Sequence, residues 1–208
     1  MSAEVSSLGV ALVTGANRGI GRGIALRLAK DGYDVGINGR STALESLETL
    51  QKEITALGRR ACIAIGDISV SRDVENMVST VVEELGQLNV MVANAGISGK
   101  QGTPILQIEA SDWDAVLSIN SLGTFLSYKY AALQMIKQGK GGRIIGATSI
   151  FGKRGDAPSQ QNLPKEKADL ELLSGSAYSA PYSPSKFAIC GLTQVAGNWS
   201  ISSCIELW

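Results

Sequence analysis

The segment LGVALVTGANRGIG, residues 8–21, carries the clearest structural signal in the sequence. Its first half, residues 8–14, is a short apolar run of the kind found in strands that are buried on both faces. Its second half carries Gly15, Gly19 and Gly21, and residues 19–30 continue with apolar side chains at mostly helical spacing. The stretch therefore predicts a buried strand, a tight glycine turn and the start of an amphipathic helix.

Beyond this unit, short β-rich runs alternate with longer helical patterns. We predict further strands at 33–38, 61–65, 89–93 and 143–148, and helices at 42–57, 72–85 and 112–138, the last with Ser111 as its N-cap. Repeated strand–helix–strand units need right-handed crossovers, which place the strands in a parallel sheet. We therefore expect an α/β fold, a doubly wound Rossmann-type parallel sheet with helices on both faces, as a single domain over residues 1–208.

Two regions interrupt the alternation. Residues 153–177 are polar and contain Pro158 and Pro164, which predicts a long loop inserted after the fifth strand. After Ala196 we find neither a clear helix nor a closing strand, and we expect the preceding helix to break at Gly197.

Composition excludes several classes of function. The 208 residues carry 19 basic and 19 acidic side chains, so no net field favours nucleic acid or an anionic membrane. No apolar run approaches the roughly 18 residues of a membrane span, and the N-terminus lacks the pattern of a signal peptide. The chain has no histidine, which excludes a histidine-ligated metal and a histidine-based triad.

The three cysteines, Cys62, Cys190 and Cys204, are odd in number and widely spaced. That usage favours reduced thiols in an intracellular compartment over a disulfide framework. We therefore expect a cytoplasmic protein with no metal site, no nucleic-acid partner and no membrane partner.

The glycine turn carries the first functional signal. Between a buried strand and a helix, glycines let backbone N–H groups approach a diphosphate at the positive end of the helix. The spacing here is Gly-x3-Gly-x-Gly, which differs from the commoner G-x-G-x-x-G pattern. A glycine triplet can also be an ordinary structural turn, but its place between strand and helix favours a ligand site.

The segment TGANRGIG, residues 14–21, resembles the TGxxxGxG turn of the short-chain dehydrogenase/reductase family. Three more motifs follow in the family's order: NAG at 94–96, Ser149 after the fifth strand, and YSPSK from Tyr182 to Lys186. The resemblance extends over about residues 8–195. It implies an enzyme that moves a hydride between NAD(P)(H) and a carbonyl or alcohol.

The resemblance also implies a catalytic set of Asn120, Ser149, Tyr182 and Lys186. Reducing a ketone builds negative charge on its oxygen, which calls for a proton donor and hydrogen-bond support. Tyr182 would donate the proton, helped by the Lys186 cation one helical turn further on. By the same resemblance Ser149 holds the substrate oxygen and Asn120 binds a water that links the lysine to solvent.

The cofactor residues that the resemblance implies are Gly15, Asn17, Arg18, Gly19, Ile20, Gly21, Arg40, Asp67, Ile68, Asn94, Ala95, Gly96, Tyr182 and Lys186. NAD-binding folds usually carry an acidic residue about 20 positions after the glycine turn, to hold the ribose hydroxyls. Residues 37–42 contain no carboxylate, and Arg40 and Arg18 offer guanidinium groups for a 2′-phosphate instead. We therefore expect NADP(H) to be preferred, with NAD(H) possible. Asp67 matches an adenine-contacting aspartate, although a turn cap is its alternative interpretation.

The chain departs from the family pattern in two places. Ser149 and Tyr182 are 33 positions apart, much further than in the family, with the polar insertion between them. Family members also continue past Ala196 with a sixth and a seventh strand. We find neither, and so expect a C-terminally truncated sheet that lacks the last two strands and compromises the paired helices of the family's usual homo-oligomer. An alternative transcript or a gene-model error would explain both departures.

Residues 91–97, 132–147 and 152–155 look most like the diacetyl/acetoin reductase branch. We therefore predict an NADP(H)-preferring reductase of a small ketone, with sugars or polyols and 3-oxoacyl groups as open alternatives. The rival hypothesis is a non-catalytic dinucleotide-binding remnant. Cofactor titration combined with a turnover assay separates the two.

Overall fold

A computed structural model describes residues 7–100, 102–153, 180–200 and 205–207. Six parallel strands form one sheet in the order β3-β2-β1-β4-β5-β6. The strands are β1 Val10–Val13, β2 Asp34–Gly39, β3 Ala61–Ile65, β4 Val90–Ala93, β5 Gly142–Gly146 and β6 Ile205–Leu207. The predicted doubly wound parallel sheet is confirmed.

Helices cover both faces of the sheet. They are α1 Gly19–Lys30, α2 Leu44–Ala56, α3 Ser71–Leu85, α4 Ala110–Leu117, α5 Gly123–Gln138 and α6 Tyr182–Ser200, with a π-helical turn at Ser118–Leu122 and short 3₁₀ turns at Ser41–Ala43, Ile105–Gln107 and Ile150–Gly152. One core cluster joins the sheet to α1 and α2, and a second joins it to α3 and α5. All of β1 and β2 is buried between these layers, as the uninterrupted apolar run of β1 predicts.

The buried start of β2 carries a charge. The Asp34 carboxylate accepts hydrogen bonds from Arg59 Nη2 at 2.8 Å, from the Arg60 backbone N–H at 3.0 Å and from Arg60 Nε at 3.0 Å. Burial alone would raise the pKa of Asp34, but the Arg60 backbone and side-chain bonds and the Arg59 guanidinium together lower it. These bonds hold the start of β2 against the loop that leads into β3.

We expect Asp34→Asn to lower the free energy of unfolding by about 2 kcal/mol at neutral pH, because it removes a charged acceptor from the Arg59 and Arg60 donors. A depressed native pKa makes the carboxylate stabilising above the unfolded value of about 3.9, and that contribution is lost as the pH falls towards the native pKa. Urea unfolding at pH 7 and pH 3 therefore should show the difference between parent and variant shrink in acid. Asp31→Asn, which breaks the exposed Arg27–Asp31 pair, is the control and should cost well under about 1 kcal/mol. An equal loss for both variants would contradict this account.

The predicted helix at 112–138 differs from the structure at its start and in its middle. Helix α4 begins at Ala110 with Glu109 at the N-cap, so the prediction of Ser111 as N-cap is wrong. The chain then passes through the π turn before α5 begins. A π turn inserts an extra residue without ending the helix, so the apolar pattern on either side hides it from sequence analysis.

The prediction for the tail is also wrong. Helix α6 runs through Gly197 to Ser200, since one internal glycine costs a helix only about 1 kcal/mol. Strand β6 then pairs in parallel with β5, and Ile205 is buried beside Gly142. Arg143 Nε donates to a Glu206 carboxylate oxygen at 2.9 Å across the same pair. The sheet therefore has the sixth strand that the sequence analysis did not find.

The predicted insertion at 153–177 lies outside the described residues except for Lys153, and Cys204 lies outside them as well. Cys62 and Cys190 are both free thiols. In the part of the chain that the structure describes, no helix combines the length and hydropathy required to cross a membrane.

Candidate functional site

An open cleft of about 840 Å³ lies at the carboxyl ends of the strands. Its walls come from the turns that follow β1, β2, β3, β4 and β5. The strand order reverses between β1 and β4, and ligands of doubly wound sheets bind outside the strand ends at such a switch point. The topology alone therefore marks this cleft as the candidate site.

The glycine turn after β1 needs glycine for a different reason at each position. Gly15 has φ +62°, and a Cβ there would lie 2.9 Å from the Ala95 Cα. Gly19 has φ +56°, a left-handed backbone conformation that residues with a side chain rarely adopt. At Gly21 a Cβ would collide with the Gly15 carbonyl oxygen. The turn packs closely against the strand end at Ala95 and feeds directly into α1.

The N-terminus of α1 opens onto the same cleft. Among the described residues no side chain caps this helix, and its first turn carries no carboxylate. The first N–H groups of a helix have no partner within the helix and carry a partial positive charge. With Gly19, Ile20 and Gly21 lining the cleft, this end of α1 has the chemistry of an anion site.

Thr14, which the sequence analysis did not assign to the site, locks the glycine turn to the end of β4. Its buried hydroxyl accepts hydrogen bonds from the backbone N–H groups of Asn94 and Ala95, both at 3.0 Å. Asn94 Nδ2 returns a bond to the Thr14 carbonyl at 3.0 Å. A polar residue that ends an apolar strand run is the sequence signal that points to Thr14.

Asn38 is the second residue that the sequence analysis missed. It is buried at the end of β2, and its Oδ1 accepts the Gly15 N–H at 3.3 Å. Its Nδ2 donates to the carbonyls of Ala64 at 2.9 Å and Gly66 at 3.2 Å. Asn38 thus joins the glycine turn to the ends of β2 and β3, which a lone polar residue at a strand end could have suggested.

The two arginines predicted for the cofactor, Arg18 and Arg40, are exposed and line the cleft. Asp67 lies on the same wall, and its Oδ1 accepts the Ser69 hydroxyl at 2.7 Å and the Ser69 N–H at 2.9 Å. Those two bonds lower the pKa of Asp67, burial opposes them, and the charge of Arg40 lowers it further. Asp67 therefore caps a turn while it also faces the cleft beside a guanidinium.

Tyr182 and Lys186 also line the cleft, from the start of α6. Lys186 is 5% exposed, and its Nζ donates to the Ala147 carbonyl at 2.7 Å. The same Nζ lies 5.6 Å from the centre of the Tyr182 ring. Burial lowers the pKa of Lys186. The structure therefore places the ammonium and the phenol ring next to each other, as the four-residue spacing predicts.

Asn120 lies next to Gly96 and is fully buried in the π turn. Its Oδ1 accepts the Ile97 N–H at 2.8 Å, and its Nδ2 donates to the Ile97 carbonyl at 2.9 Å. Its backbone carbonyl accepts the Thr124 hydroxyl at 2.7 Å. Asn120 does not line the cleft itself but supports the loop after β4 that does.

Ser149 sits at the start of the 3₁₀ turn after β5, where its Oγ accepts the Phe151 N–H at 3.3 Å. The residue from this segment that lines the cleft is Thr148, its neighbour. Phe151 packs edge-on against the Tyr182 ring, with 6.2 Å between centroids. All fourteen predicted cofactor residues line the cleft, whereas of the catalytic set only Tyr182 and Lys186 do.

The family model described as short chain dehydrogenase matches residues 9–160. A short-chain dehydrogenase/reductase of Armillaria gallica is 48% identical over 195 residues, which are 94% of this chain and 66% of that protein. A 3-oxoacyl-[acyl-carrier-protein] reductase of Staphylococcus aureus is 37% identical over 167 residues, 80% of this chain and 66% of its own length. The chain thus spans about two thirds of the length of the curated relatives it matches.

Solved structures give the same picture. An acetoin dehydrogenase from Salmonella typhimurium superposes with a TM-score of 0.77 at 29% identity, over 95% of this chain and 69% of that one. A short-chain type dehydrogenase/reductase from Mycobacterium marinum superposes with a TM-score of 0.80 at 28% identity, over 96% and 72%.

Proposed function

Because the chain belongs to the short-chain dehydrogenase/reductase family, we propose that it transfers a hydride between NADP(H) and a small carbonyl or alcohol. The observation that carries the proposal is the shared cleft: the glycine turn and the Tyr182–Lys186 pair line the same cavity. Such an arrangement would hold a dinucleotide by its diphosphate, with a proton donor available in the same cavity.

The cleft fits a dinucleotide on its own chemistry. The close approach of Gly15 to Ala95 leaves backbone rather than side chain at the turn, and the uncapped N-terminus of α1 offers N–H groups to a diphosphate. Asp67 and Ile68 would lie along the adenosine half, and Asn94, Ala95 and Gly96 would form the floor further in. When bound, the nicotinamide dinucleotide supplies or accepts the hydride.

The chain's own residues would handle the proton. Tyr182 would donate its phenolic proton to the carbonyl oxygen of the substrate, in the position where negative charge develops. Lys186 would hold the nicotinamide ribose and stabilise the phenolate through its ammonium. Ser149 would hold the substrate oxygen and Asn120 the water that returns a proton, as the family resemblance implies.

Arg40 and Arg18 support the preference for NADP(H) over NAD(H). Both guanidinium groups line the cleft at the end of β2 and in the glycine turn, and the 37–42 segment supplies no carboxylate to hold a free 2′-hydroxyl. A guanidinium pairs with a phosphate through charge-assisted hydrogen bonds, whereas it gains little from an uncharged ribose.

Arg40→Ala should weaken NADPH binding by about tenfold and change NADH binding by less than about twofold. A tenfold change in the dissociation constant is the contribution expected of one exposed charge-assisted hydrogen bond. Fluorescence titration with both cofactors measures the two dissociation constants. Arg27→Ala, which removes an exposed guanidinium on the outer side of α1, is the control and should leave both unchanged. Equal weakening of NADPH and NADH would remove the case for a 2′-phosphate site.

For the substrate we propose a small ketone of the diacetyl or acetoin type. The likeness to an acetoin dehydrogenase supports this choice, and the likeness to 3-oxoacyl reductases keeps a 3-oxoacyl group as the next candidate, ahead of sugars or polyols. The balanced charge and free thiols support a cytoplasmic enzyme without nucleic-acid or membrane partners.

The direct test is reduction of diacetyl with NADPH and with NADH by the purified chain. We expect oxidation of NADPH that depends on the ketone and is faster than that of NADH. If NADPH binds but is not oxidised with diacetyl, a 3-oxoacyl thioester or a keto-sugar, the chain is a non-catalytic dinucleotide-binding protein and the proposal fails.

A further inference from the structure

Ser185 lies between Tyr182 and Lys186 in the sequence, and its side chain is completely buried. Its hydroxyl donates to the Tyr182 carbonyl oxygen at 2.6 Å. The Ser185 Oγ also accepts a hydrogen bond from Asn120 Nδ2 at 2.9 Å, across 65 positions of sequence. A serine bond to a carbonyl three residues back is common inside helices, but the second bond reaches a different element of the fold.

The Asn120 side-chain amide bonds both Ser185 and a residue that lines the cleft. Its two N–H groups are used by the Ile97 carbonyl and by Ser185, and its oxygen accepts the Ile97 N–H. Ile97 belongs to the loop after β4 and lines the cleft. A continuous series of hydrogen bonds therefore runs from Ile97 on the cleft, through Asn120 in the π turn, to the first turn of α6.

The atoms around this series of hydrogen bonds are closely packed. A Cβ on Gly96 would lie 3.2 Å from Asn120 Oδ1 and 3.7 Å from Lys186 Nζ. The π turn delivers the amide to this spot, and π turns of this kind are frequent at functional sites. Any rotation of the first turn of α6 would move Tyr182 and Lys186 relative to the Gly96–Ile97 wall.

We propose that Ser185 is a positioning residue, which fixes the first turn of α6 against Asn120 so that the Tyr182 phenol and the Lys186 ammonium face the nicotinamide end of the cleft. The proposal rests on the proposed function, because it concerns the geometry of that same site. Ser185 is not among the residues that line the cleft, and it acts through the Tyr182 backbone and the Asn120 amide.

The first test compares three variants. Ser185→Ala should lower kcat about tenfold, a typical loss for a misplaced general acid, with KM for the ketone and for NADPH changed less than about twofold. Ser185→Thr keeps a hydroxyl that bonds the carbonyl three residues back, so it should recover most of kcat. Ser127→Ala is the matched control, because it removes a buried hydroxyl that bonds only the Gly123 carbonyl of its own helix in the described part of the chain.

A double-mutant cycle separates positioning from ordinary stabilisation. If Ser185 acts through Asn120, Ser185→Ala should cost kcat less than about twofold in an Asn120→Ala background, because neighbours in one network are not additive. A full tenfold loss in that background, or a loss matched by the Ser127→Ala control, would overturn the proposal.

Hydrogen exchange at the Ile97 N–H gives a readout that needs no turnover. Its acceptor is Asn120 Oδ1, so release of the Asn120 amide in Ser185→Ala should speed exchange at Ile97 about tenfold relative to parent and to Ser127→Ala. If the parent protein is inactive but Ile97 exchanges faster in Ser185→Ala, the proposed function is refuted and the positioning role of Ser185 stands. If the parent protein is active and Ser185→Ala changes neither Ile97 exchange nor kcat, only the positioning role is refuted.

Discussion

Tyr182→Phe should lower kcat for ketone reduction about a thousandfold and leave the dissociation constant of NADPH within about twofold of the parent. The substitution removes the one phenolic oxygen that we propose as proton donor. It keeps the ring that Phe151 and the Lys186 ammonium contact, so the cleft retains its shape. Steady-state kinetics with diacetyl, and fluorescence titration with NADPH, measure the two quantities.

Tyr130→Phe is the matched control. Its hydroxyl bonds the Ser71 hydroxyl at 2.8 Å on the outside of α3 and α5, and it does not line the cleft. We expect its kcat within about twofold of the parent, because no proton donor near the site is lost. A Tyr182→Phe enzyme as fast as the parent would exclude Tyr182 as the general acid, whatever the cofactor affinity.

Gly21→Ala should weaken the binding of both NADPH and NADH about a hundredfold. The new Cβ meets the Gly15 carbonyl oxygen and lies 2.5 Å from Asn94 Nδ2, and the first of these is backbone that cannot rotate away. Relieving an overpacked contact of this kind costs about 3 kcal/mol, which is about a hundredfold in a dissociation constant. The shift falls on the Gly15 peptide, which is part of the proposed diphosphate site.

Gly23→Ala is the control for Gly21→Ala, since it lies two residues further along the same helix. Apart from its chain neighbours and the nearby backbone of its own helix, no described atom lies within 4 Å of its Cβ position. Alanine is favoured over glycine inside a helix by about 1 kcal/mol, so this variant should be as stable as the parent or more so, with unchanged cofactor affinity. If Gly21→Ala binds NADPH as tightly as Gly23→Ala does, the glycine turn is not the diphosphate site.

The fold was predictable where local pattern and burial agree. Residues 8–21 carry their own strand, turn and helix signals, and helix α1 occupies residues 19–30 as predicted. Strand β3 likewise has its predicted bounds, Ala61–Ile65. In both cases the apolar pattern is enough, because turn residues mark the flanks of the strand or helix.

The errors fall where long-range pairing decides the structure. Strand β6 has three residues, too few for a periodic signal, and it exists because β5 offers its edge to Ile205–Leu207. Gly197 looked like a helix end, yet α6 continues through it. The π turn at Ser118–Leu122 also escaped prediction, because its neighbours keep a helical pattern on both sides.

In the candidate site, too, local motifs were predictable and long-range contacts were not. Most residues predicted to hold a cofactor stand in short sequence motifs, and all of them line the cleft. Thr14 and Asn38 were missed because their partners lie 80 and 26 positions away, which only the folded chain brings together. The predicted role of Ser149 remains a proposal, since its hydroxyl bonds Phe151 N–H and the adjacent Thr148 lines the cleft.

Deuterium transfer from NADPH is the sharpest check on the proposed hydride transfer. The purified chain is given NADPH with both hydrogens at nicotinamide C4 replaced by deuterium, together with diacetyl, a 3-oxoacyl thioester or a keto-sugar, and the alcohol product is analysed by mass spectrometry. We expect one deuterium on the carbinol carbon for each NADPH consumed, with at least one of the three ketones. Unlabelled alcohol, or no alcohol from any of the three at saturating NADPH, would contradict it.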